Sequence, residues 1–505
     1  MAHRDLHSRC WLAMLRHCPH FFLCVDTLRS FTILPPAGLI VLLLALLQLS
    51  CTLGPDYQRP QTVATDDSSA LGARYRDTAQ HPHTAPVFDW WSSYNDPLLD
   101  QWVGQLLAEN LDLRAAAERI VQARERVVII GGEGWPSIGL GVDGSRSFAP
   151  EPFQPGARRY RTGINVGLGI SWQADLFGKI RRSVETAQYQ SLANEADYQA
   201  LQHSLVAELV RLRASVAVSQ RELAVQSDIV DSRQRTLDTV QRRYQLGVKN
   251  TSALGVYSAE ENVASAQAQR VVLRRQLTEN LLVLDTLLNQ RPGTLAKVDT
   301  AFPLLPLAGA VAVDIPAALL DQRPDIRGNE LRLMAANAQI GVALADLFPD
   351  LSLSLNHSFA SDQWRGLFDN NNALGSLTGQ ITTRLFEGGR LRAQIRLRES
   401  ELREQAAQYA KIVLNALAEV ETALAQEHYL AEQVALLQRG TRAARKAETL
   451  AEQRYQQGIG ALLVLLEAQR RRQNSERSLL AAQRASWRAR VDLHLALGGD
   501  WINKA

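Results

Sequence analysis

Cysteine is almost absent from this sequence of 505 residues. The only cysteines are Cys10, Cys18, Cys24 and Cys51, so that none occurs after Cys51. A disulfide framework needs paired cysteines, and a cysteine-based metal site needs several thiolates. Both are therefore excluded for the body of the protein.

Aromatic residues and an excess of charge of one sign are also scarce. Aromatic residues make up 6% of the chain and charged residues 21%, while the formal net charge is only +3. Such a small basic excess gives no electrostatic reason for nucleic-acid binding, and we expect no nucleic-acid partner. The abundance of Ala, Leu, Gln, Arg and Glu in the middle of the chain is typical of long helices with modest cores.

Familiar catalytic patterns are missing as well. The sequence contains no HExxH, GxSxG, P-loop or dinucleotide-binding motif. His428 and Tyr429 are isolated polar residues in a predicted helix, and we interpret them as surface residues. We predict that the protein is not an enzyme and that it has no catalytic residue, metal site or cofactor site.

The apolar run near the N-terminus, residues 36–49, is too short to span a membrane as a helix, which takes roughly 20 apolar residues. Its length fits the apolar region of a signal peptide. The run ends in Leu-Ser-Cys at Cys51, which resembles a bacterial lipobox, where cleavage precedes the cysteine and the thiol receives lipid. We predict a signal peptide over residues 1–50 and a covalent lipid on Cys51. The alternative is an ordinary signal peptide with an incidental cysteine. Residues 1–28 look unlike a signal peptide, which suggests a start codon assigned too early.

An internal repeat is the strongest feature that the chain does contain. The stretch RYQLGV around Tyr244 returns 211 residues later as RYQQGI around Tyr455. Two further landmarks, LFGK at Leu176 and WPS at Trp135, return as LFEG and FPD at offsets of 209 and 213 residues. Three landmarks in the same order at nearly constant offset indicate a tandem duplication. Each RYxxG stretch interrupts a helical region and is predicted to form the tip of a helical hairpin.

Each repeat also contains two stretches in which apolar and small polar residues alternate. Residues 162–173 alternate Ile, Val, Leu, Ile and Trp with Asn, Gly, Gly, Ser and Gln, and residues 137–148 follow the same period. The second repeat has equivalents at 350–360 and 375–385. This pattern is typical of membrane β-barrel strands. The alternative, a soluble hairpin packed on a core, lacks neighbouring helices with a wide apolar face.

Long helices are predicted between the strands and the tips. Gly178 and Tyr244 are 66 residues apart, and Gly388 and Tyr455 are 67 residues apart. At about 1.5 Å per residue, an unbroken helix of this length is roughly 100 Å long. Ahead of the first strand, Asp96 is a predicted N-cap for one helix that runs to about residue 130.

These patterns divide the chain into six parts. A short helix is expected at residues 315–321, inside a proline-rich connector. The predicted parts are a signal peptide (1–50), an extended N-terminal segment (51–97), a first repeat (98–290), the proline-rich connector (291–323), a second repeat (324–498) and a C-terminal tail (499–505).

Four strands cannot close a barrel alone. Unpaired backbone groups in lipid cost several kcal/mol each, and barrels begin at about eight strands. Two copies would give eight strands with a filled interior, whereas three would give twelve strands around a passage. The polar row favours a wet passage. The expected fold is mainly α with a small β-barrel part: a long α-helical barrel plus four transmembrane β-strands per protomer, closed as a homotrimer.

Stretches spread over residues 51–500 resemble the TolC-type outer-membrane efflux proteins, in particular their NodT-like lipoprotein branch. The matching stretches are residues 51–60, WW at 90–91 with DPL at 96–98, DLFGKIR at 175–181, DQRPDIR at 321–327, FP at 348–349, and both RYxxG tips.

The resemblance implies a homotrimer with a twelve-strand barrel in outer-membrane lipid and an α-helical tunnel in the periplasm. It also implies docking to a periplasmic adaptor protein and to an inner-membrane pump, commonly of the RND class. Such a channel passively conducts small molecules, for example drugs, to the outside. Two alternatives stay open: the outer-membrane channel of a type I protein secretion system, and a lipid-anchored coiled-coil scaffold without a pore.

The residues expected at the periplasmic entrance lie at the two tips. Gly247 and Gly458 are predicted helix C-caps, where positive φ is favoured. Tyr244 and Tyr455 have two interpretations of equal weight. They either latch neighbouring helices or contact the adaptor, or they simply end the packing of a coiled coil.

An acidic ring at the entrance, which the resemblance would imply, is not supported by the residues present. Glycines stand where the family commonly has an Asp after the tip glycine, at Gly255 and Gly460. Glu467 retains a carboxylate further along, and Arg470 begins a run of three arginines. These arginines either pair between helices and hold a closed state, or they form a solvated helix face.

Overall fold

The structure, a computed structural model, describes residues 52–60, 89–150, 158–248, 251–295, 302–305, 311 and 322–498. The predicted signal peptide, the predicted lipid site Cys51, the connector helix at 315–321 and the C-terminal tail lie outside the described residues.

The described chain is mainly helical and contains one sheet. None of its described helices combines the length and apolar character needed to cross a bilayer. In chain order the main elements are a short 3-10 helix (Trp90–Tyr94), α1 (Pro97–Glu109), α2 (Leu111–Gly132), β1 (Ser137–Pro150), β2 (Arg158–Ala174), α3 (Lys179–Gln245), α4 (Ala253–Leu287), α5 (Pro324–Ala345), β3 (Asp350–Ser361), β4 (Ala373–Thr382), α6 (Arg390–Gln456) and α7 (Leu462–Leu497).

The two halves of the chain repeat the same elements, as the landmarks predicted. Helices α3 and α6 each have 67 residues, while α4 has 35 and α7 has 36. Each half also contributes two strands. The rings of Phe177 and Phe348, which belong to different halves, stack with their centroids 4.7 Å apart. The tandem duplication is therefore present in the structure as well as in the sequence.

The first predicted helix of the first repeat was drawn too long. Asp96 is the N-cap of α1, as expected, and its side chain accepts a hydrogen bond from the backbone N–H of Leu98. The helix nevertheless ends before Asn110, whose ψ of 130° is extended. The side-chain oxygen of Asn110 then accepts from the N–H groups of Asp112 and Leu113 and so begins α2. An apolar period that continues across such a cap hides the break.

The four strands form one antiparallel sheet in the order β1-β2-β3-β4. Three of the predicted strands are confirmed with small changes at their ends. The fourth, predicted to run to residue 385, ends at Thr382. Thr382 pairs with Asp350, the first residue of β3, so β3 has no residue left to pair with the residues after Thr382. Arg384 instead donates to the carboxylate of Asp350.

The sheet has one apolar face and one polar face. The register pairs Ile138 with Ile170, Leu140 with Leu168, and so on along one face of β1 and β2. We call this apolar face the outer row. On β1 its members are strongly exposed in the single chain, with 68% for Ile138 and 72% for Leu140. The opposite face carries mainly Gly, Ser, Asn, Thr and Gln and is the inner row.

The chain divides into two compact units. The first comprises residues 1–59, 122–191 and 331–406, and contains the whole sheet. The second comprises residues 60–121, 192–330 and 407–505, and contains both tips. Its core includes an aromatic cluster in which the rings of Tyr94 and Trp487 lie 4.6 Å apart. Arg213 and Asp96 form a buried ion pair at 2.9 Å beside that cluster.

Candidate functional site

The two RYxxG tips end their helices in the same way. Gly247 has a φ of 64° and Gly458 a φ of 79°. At the first tip the N–H of Gly247 donates to Tyr244 O and that of Val248 to Arg243 O. The second tip repeats both bonds from Gly458 and its successor. These are the bonds of a Schellman cap, in which glycine relieves the steric cost of positive φ. The predicted role of both glycines as C-caps is confirmed.

The two tip tyrosines occupy different environments. Tyr455 is 5% exposed and packs in an apolar cluster with Leu237, Val240 and Leu465. Tyr244 is 48% exposed. Packing inside the protomer thus accounts for Tyr455, whereas Tyr244 presents its ring at the surface of the single chain.

Arg243 joins one tip to the other. Its guanidinium lies 4.6 Å from the centre of the Tyr455 ring, and it donates to the backbone oxygen of Gln456 at 3.0 Å. A cation over an aromatic face contributes about 0.5–1 kcal/mol when exposed and more when desolvated. Arg243 belongs to the first RYxxG stretch and Tyr455 to the second. The repeat that marks the tips in the sequence therefore also supplies a contact between them.

The carboxylate of Glu467 forms ion pairs with arginines of its own helix, α7. It accepts hydrogen bonds from Arg471 at 2.8 Å and from Arg470 at 2.8 and 2.9 Å. Hydrogen bonds from Arg471 and Arg470 lower the pKa of Glu467 below its ordinary value. Both arginines are largely exposed, with side chains 74% and 64% accessible. Arg470 therefore pairs within α7, and among the described residues it makes no bond to another helix.

Arg472 is the member of the arginine run that does connect helices. It donates to Glu448 of α6 at 2.9 Å and to Glu476 of its own helix at 3.2 Å. Arg445 of α6 reaches Glu476 as well, at 2.7 Å. Burial by itself would lower the pKa of Arg472, but the hydrogen bonds and charges of Glu448 and Glu476 outweigh burial and raise it. Arg470 and Arg471 thus match the solvated helix face, Arg472 pairs between α6 and α7, and the closed state stays a prediction.

A second set of contacts, which sequence analysis missed, joins α3 of the first hairpin to α7 of the second. Gln469 donates to Thr236 at 3.0 Å and to Ser232 at 3.4 Å. Arg233 donates to Gln473 at 2.6 Å. We call these five residues the inter-hairpin network. The sequence does contain a signal for this network: polar residues recur every four positions along each helix, where a coiled coil usually places apolar residues.

Burial makes this network costly to disrupt. Ser232, Arg233, Thr236, Gln469 and Gln473 are all less than 9% exposed. Burial also lowers the pKa of Arg233. A buried polar group that loses its partner costs about 1–3 kcal/mol, and more if it is charged. Separation of the two hairpins at this level would therefore have to rehydrate several polar groups together.

In the first unit, the segment that follows Cys51 lies in a groove lined by glycine. A Cβ on Gly341 of α5 would stand 2.6 Å from Leu53 O, and one on Gly178 would stand 2.9 Å from Thr52 Cα. Contacts under 3.0 Å are not tolerated by backbone atoms. Both glycines are therefore required for the close approach of residues 52–54. We call this groove the N-terminal seat.

Hydrogen bonds hold the segment in the N-terminal seat. Arg182 of α3, whose side chain is 8% exposed, donates from Nε to Leu53 O at 3.0 Å. Asn337 of α5 donates to Pro55 O at 2.8 Å. The N–H of Leu53 points to Phe177 O at 3.4 Å. The segment is thus fixed beside the junction where β2 becomes α3.

Metal ligands are not clustered in the described part of the chain. No group of three or more His, Cys, Asp or Glu is placed there to hold a metal ion. His428 and Tyr429 are neighbours in α6, and Tyr429 is 66% exposed.

Comparison with known proteins gives one family. The family model of the outer membrane efflux protein matches residues 102–290 and 315–499. These two ranges correspond to the two repeats and omit much of the connector between them.

Individual relatives agree with the family match. The chain is 31% identical over 460 residues to the solvent efflux pump outer membrane protein SrpC of Pseudomonas putida, covering 90% of this chain and 97% of SrpC. It is 30% identical to the outer membrane protein OprJ of Pseudomonas aeruginosa, covering 92% and 96%. Among solved structures, the outer-membrane channel OprN is 31% identical with a TM-score of 0.79, covering 89% of this chain and all of OprN.

Proposed function

The chain belongs to the outer membrane efflux protein family, and from this premise we propose that three copies form the exit duct of a tripartite efflux pump. It is an outer-membrane efflux channel component. The homotrimeric state, the adaptor, the class of pump and the cargo are the proposed parts.

The open sheet is the observation that carries the proposal. β1 and β4 each have one neighbour, so each leaves one edge of backbone groups unpaired in the single chain. In lipid such edges cost several kcal/mol for each unpaired group, and pairing β4 of one copy with β1 of the next removes them. Three copies give twelve strands and a passage, whereas two copies give eight and a filled interior.

The faces of the sheet support the same arrangement. The outer row offers apolar side chains to lipid, as in membrane barrels. The inner row, for example Ser352 opposite Gln380 and Ser354 opposite Thr378, offers hydroxyl and amide groups to water. A coiled-coil scaffold without a pore would have no use for a sheet with these two faces. The polar row therefore favours a water-filled lumen over that alternative.

A covalent lipid on Cys51 remains part of the proposal. The N-terminal seat supports it, because residues 52–55 lie beside the junction of β2 and α3, where a membrane strand leaves the bilayer. One acyl chain binds a membrane only weakly, so the barrel would supply the main anchorage. Intact mass of the purified chain tests the lipid: Cys51→Ala should lose the added mass, and an unmodified wild type would contradict the assignment.

The tips are proposed as the adaptor-facing end and as the entrance. The partners would be a periplasmic adaptor and an inner-membrane pump, of the RND class by resemblance. SrpC is named for solvent efflux, and we propose small organic molecules as cargo rather than the unfolded proteins of a type I secretion system. The inter-hairpin network, with its buried Arg233, would hold the entrance closed.

Conductance of the purified full chain in planar bilayers tests the duct. Wild-type trimers should conduct weakly, and Arg233→Ala should raise conductance because it removes the bonds to Gln473 and to Asn262 O. Arg470→Ala is the matched control, since it removes an arginine that pairs only within α7. A trimer in which neither wild type nor Arg233→Ala conducts would contradict the duct. Equal conductance of Arg233→Ala and wild type would contradict the closed state proposed for the network.

A further inference from the structure

A charged side chain lies on the outer row of β1. Strand β1 places Ile138, Leu140, Val142, Gly144, Arg146 and Phe148 on that face in succession. Among the described outer-row residues of all four strands, the Arg, Lys, Asp and Glu residues are Arg146 and Arg158, and Arg158 pairs with Pro150 at the end of the hairpin. An arginine on the lipid side of a barrel costs about 2–4 kcal/mol at the bilayer centre and close to 0–1 near the interfaces. The position of Arg146 along the strand therefore decides whether it destabilises the barrel or can contact lipid headgroups at little cost.

The strand places Arg146 near one boundary of the membrane. Eight residues separate it from Ile138, which at about 3.3 Å per residue is roughly 26 Å along the strand. With a tilt of about 40° this is roughly 20 Å of depth, within an apolar band about 25 Å tall. The next outer residue, Phe148, pairs with Tyr160, and their ring centroids are 6.2 Å apart. Aromatic pairs of this kind mark the interfacial girdle of a barrel.

The boundary is the external one. Within the first unit, β1 and β2 join helices α2 and α3 at Ser137 and Ala174, while Pro150 and Arg158 stand at the opposite ends of the two strands. The helices of this outer-membrane channel extend into the periplasm, so the end of the hairpin with Pro150 and Arg158 lies toward the outside. Arg146 therefore meets the outer leaflet.

The surroundings of Arg146 offer hydrogen-bond donors and no acid. Its guanidinium lies 5.2 Å from the centre of the Tyr160 ring, and its register partner is Thr162. Both side chains are exposed. No carboxylate pairs with Arg146 within the described residues. The sequence adds charge nearby, since β2 begins Arg-Arg-Tyr-Arg at Arg158.

We propose that Arg146, with the hydroxyls of Tyr160 and Thr162, binds a phosphate of a phosphorylated glycolipid headgroup in the outer leaflet. A guanidinium fork matches phosphate oxygens in a bidentate way, and two hydroxyls beside it can donate to the same group. The aromatic pair of Tyr160 and Phe148 lies against the first part of the acyl chains. This proposal rests on the proposed barrel, because it needs the outer row to face lipid.

The experiment is native mass spectrometry of the full-length trimer in detergent, titrated with bisphosphorylated lipid A, with dephosphorylated lipid A or with phosphatidylglycerol. Bisphosphorylated lipid A should bind wild type most tightly. Arg146→Ala should weaken that binding about tenfold or more, and Arg146→Lys, which keeps the charge without the fork, should fall between. Arg161→Ala is the matched control, because Arg161 pairs with Ser147 on the inner row of the same hairpin.

Each other outcome overturns the assignment. Equal binding by wild type and Arg146→Ala removes Arg146 from the site, and equal binding of both lipid A forms removes the phosphate. Phosphatidylglycerol that binds as tightly as lipid A replaces the glycolipid with a general anionic lipid and contradicts the proposal. Conductance is measured on the same samples: variants that conduct normally but lose lipid leave the duct intact, whereas a wild type that forms no trimer refutes the duct itself.

Discussion

Substitution of Gly341 by alanine should release the segment after Cys51 from the N-terminal seat. The new Cβ would stand 2.6 Å from Leu53 O and 2.8 Å from Arg182 Cγ. The first contact is to a backbone atom, which cannot turn aside as a side chain can. The segment must therefore leave the groove, and the hydrogen bond from Arg182 Nε to Leu53 O, 3.0 Å long, is lost with it.

The size of the effect follows from the bonds that hold the segment. The bond from the charged Arg182 is worth about 1.5–3 kcal/mol and the bond from Asn337 about 0.5–1.5 kcal/mol. Together they give about 2–4.5 kcal/mol, and each 1.4 kcal/mol is tenfold in an equilibrium constant. The released fraction should thus rise by about 30- to 1,600-fold. Helix α5 itself should gain about 1 kcal/mol, because alanine is a better helix former than glycine.

Chymotrypsin cleavage after Tyr57 measures the released fraction. When opening and closing are fast compared with cleavage, the rate of cutting follows the population of the open form. The purified Gly341→Ala protein should be cut at Tyr57 faster than wild type by the factor above, while its global unfolding temperature does not fall. Gly440→Ala is the matched control: it is also a helical glycine, and a Cβ there meets nothing within 4 Å.

Two results would refute the reasoning. Cleavage at Tyr57 that stays at the wild-type rate in both Gly341→Ala and Gly440→Ala would show that the close approach of Leu53 to Gly341 does not exist in the protein. Equal acceleration above the wild-type rate in both variants would show that any glycine-to-alanine change in these long helices disturbs the segment. Asn337→Ala adds a graded check, since it removes only the bond to Pro55 O and should accelerate cleavage less.

Three further predictions concern the core, the sheet and the entrance. Asp96→Ala should destabilise the protein by about 3–5 kcal/mol in urea unfolding, because it removes the carboxylate that pairs with the buried Arg213 at 2.9 Å; an unchanged midpoint would contradict the buried pair. Val166→Pro should abolish the trimer on a non-denaturing gel, because proline removes a ladder bond from a strand that is paired on both sides; a normal trimer would count against the barrel. The pKa of Glu467 in the folded protein is lowered, so its ion pairs stabilise the protein above the ordinary value of 4.5 and are lost only as the pH falls through the lower folded pKa. Closed-state conductance should therefore be constant between pH 8 and pH 5. A step in conductance within that range that disappears in Glu467→Gln would contradict this pKa shift.

The elements that sequence analysis predicted well are those whose signal is local. A period of two fixes the strands because the polar and apolar rows must face different surroundings. The tip glycines predict helix C-caps because few other residues accept positive φ. The end of β4 was missed by three residues for the converse reason: Thr382 is the last residue only because β3 begins at Asp350. Where the end of a strand depends on the length of its partner strand, the strand's own residues do not predict it.

The contacts of the functional site show the same limit. Ser232 and Gln469 are 237 residues apart, and the sequence around either residue does not predict that the two form a hydrogen bond. The N-terminal seat was hidden in the same way, since the glycines at 178 and 341 acquire their meaning only when residues 52–54 lie against them. Glycine in the interior of a helix costs about 1 kcal/mol relative to alanine. A glycine inside a helix is therefore a candidate for a close approach, but Gly440 is also helical and a Cβ there meets nothing within 4 Å, so the sequence does not distinguish Gly341 from it.

The duplicated tips explain why the proposed entrance does not need a ring of acidic residues. The carboxylate of Glu467, which follows the second tip, is already neutralised by two arginines of its own helix. What joins the hairpins is instead a cation on an aromatic ring, from Arg243 to Tyr455, and the buried hydroxyl, amide and guanidinium groups of the inter-hairpin network. Amides and hydroxyls do not titrate in the physiological range, and arginine stays charged there. The proposed closed state, if held by such groups, would respond to displacement by a docking partner and not to the acidity of the periplasm.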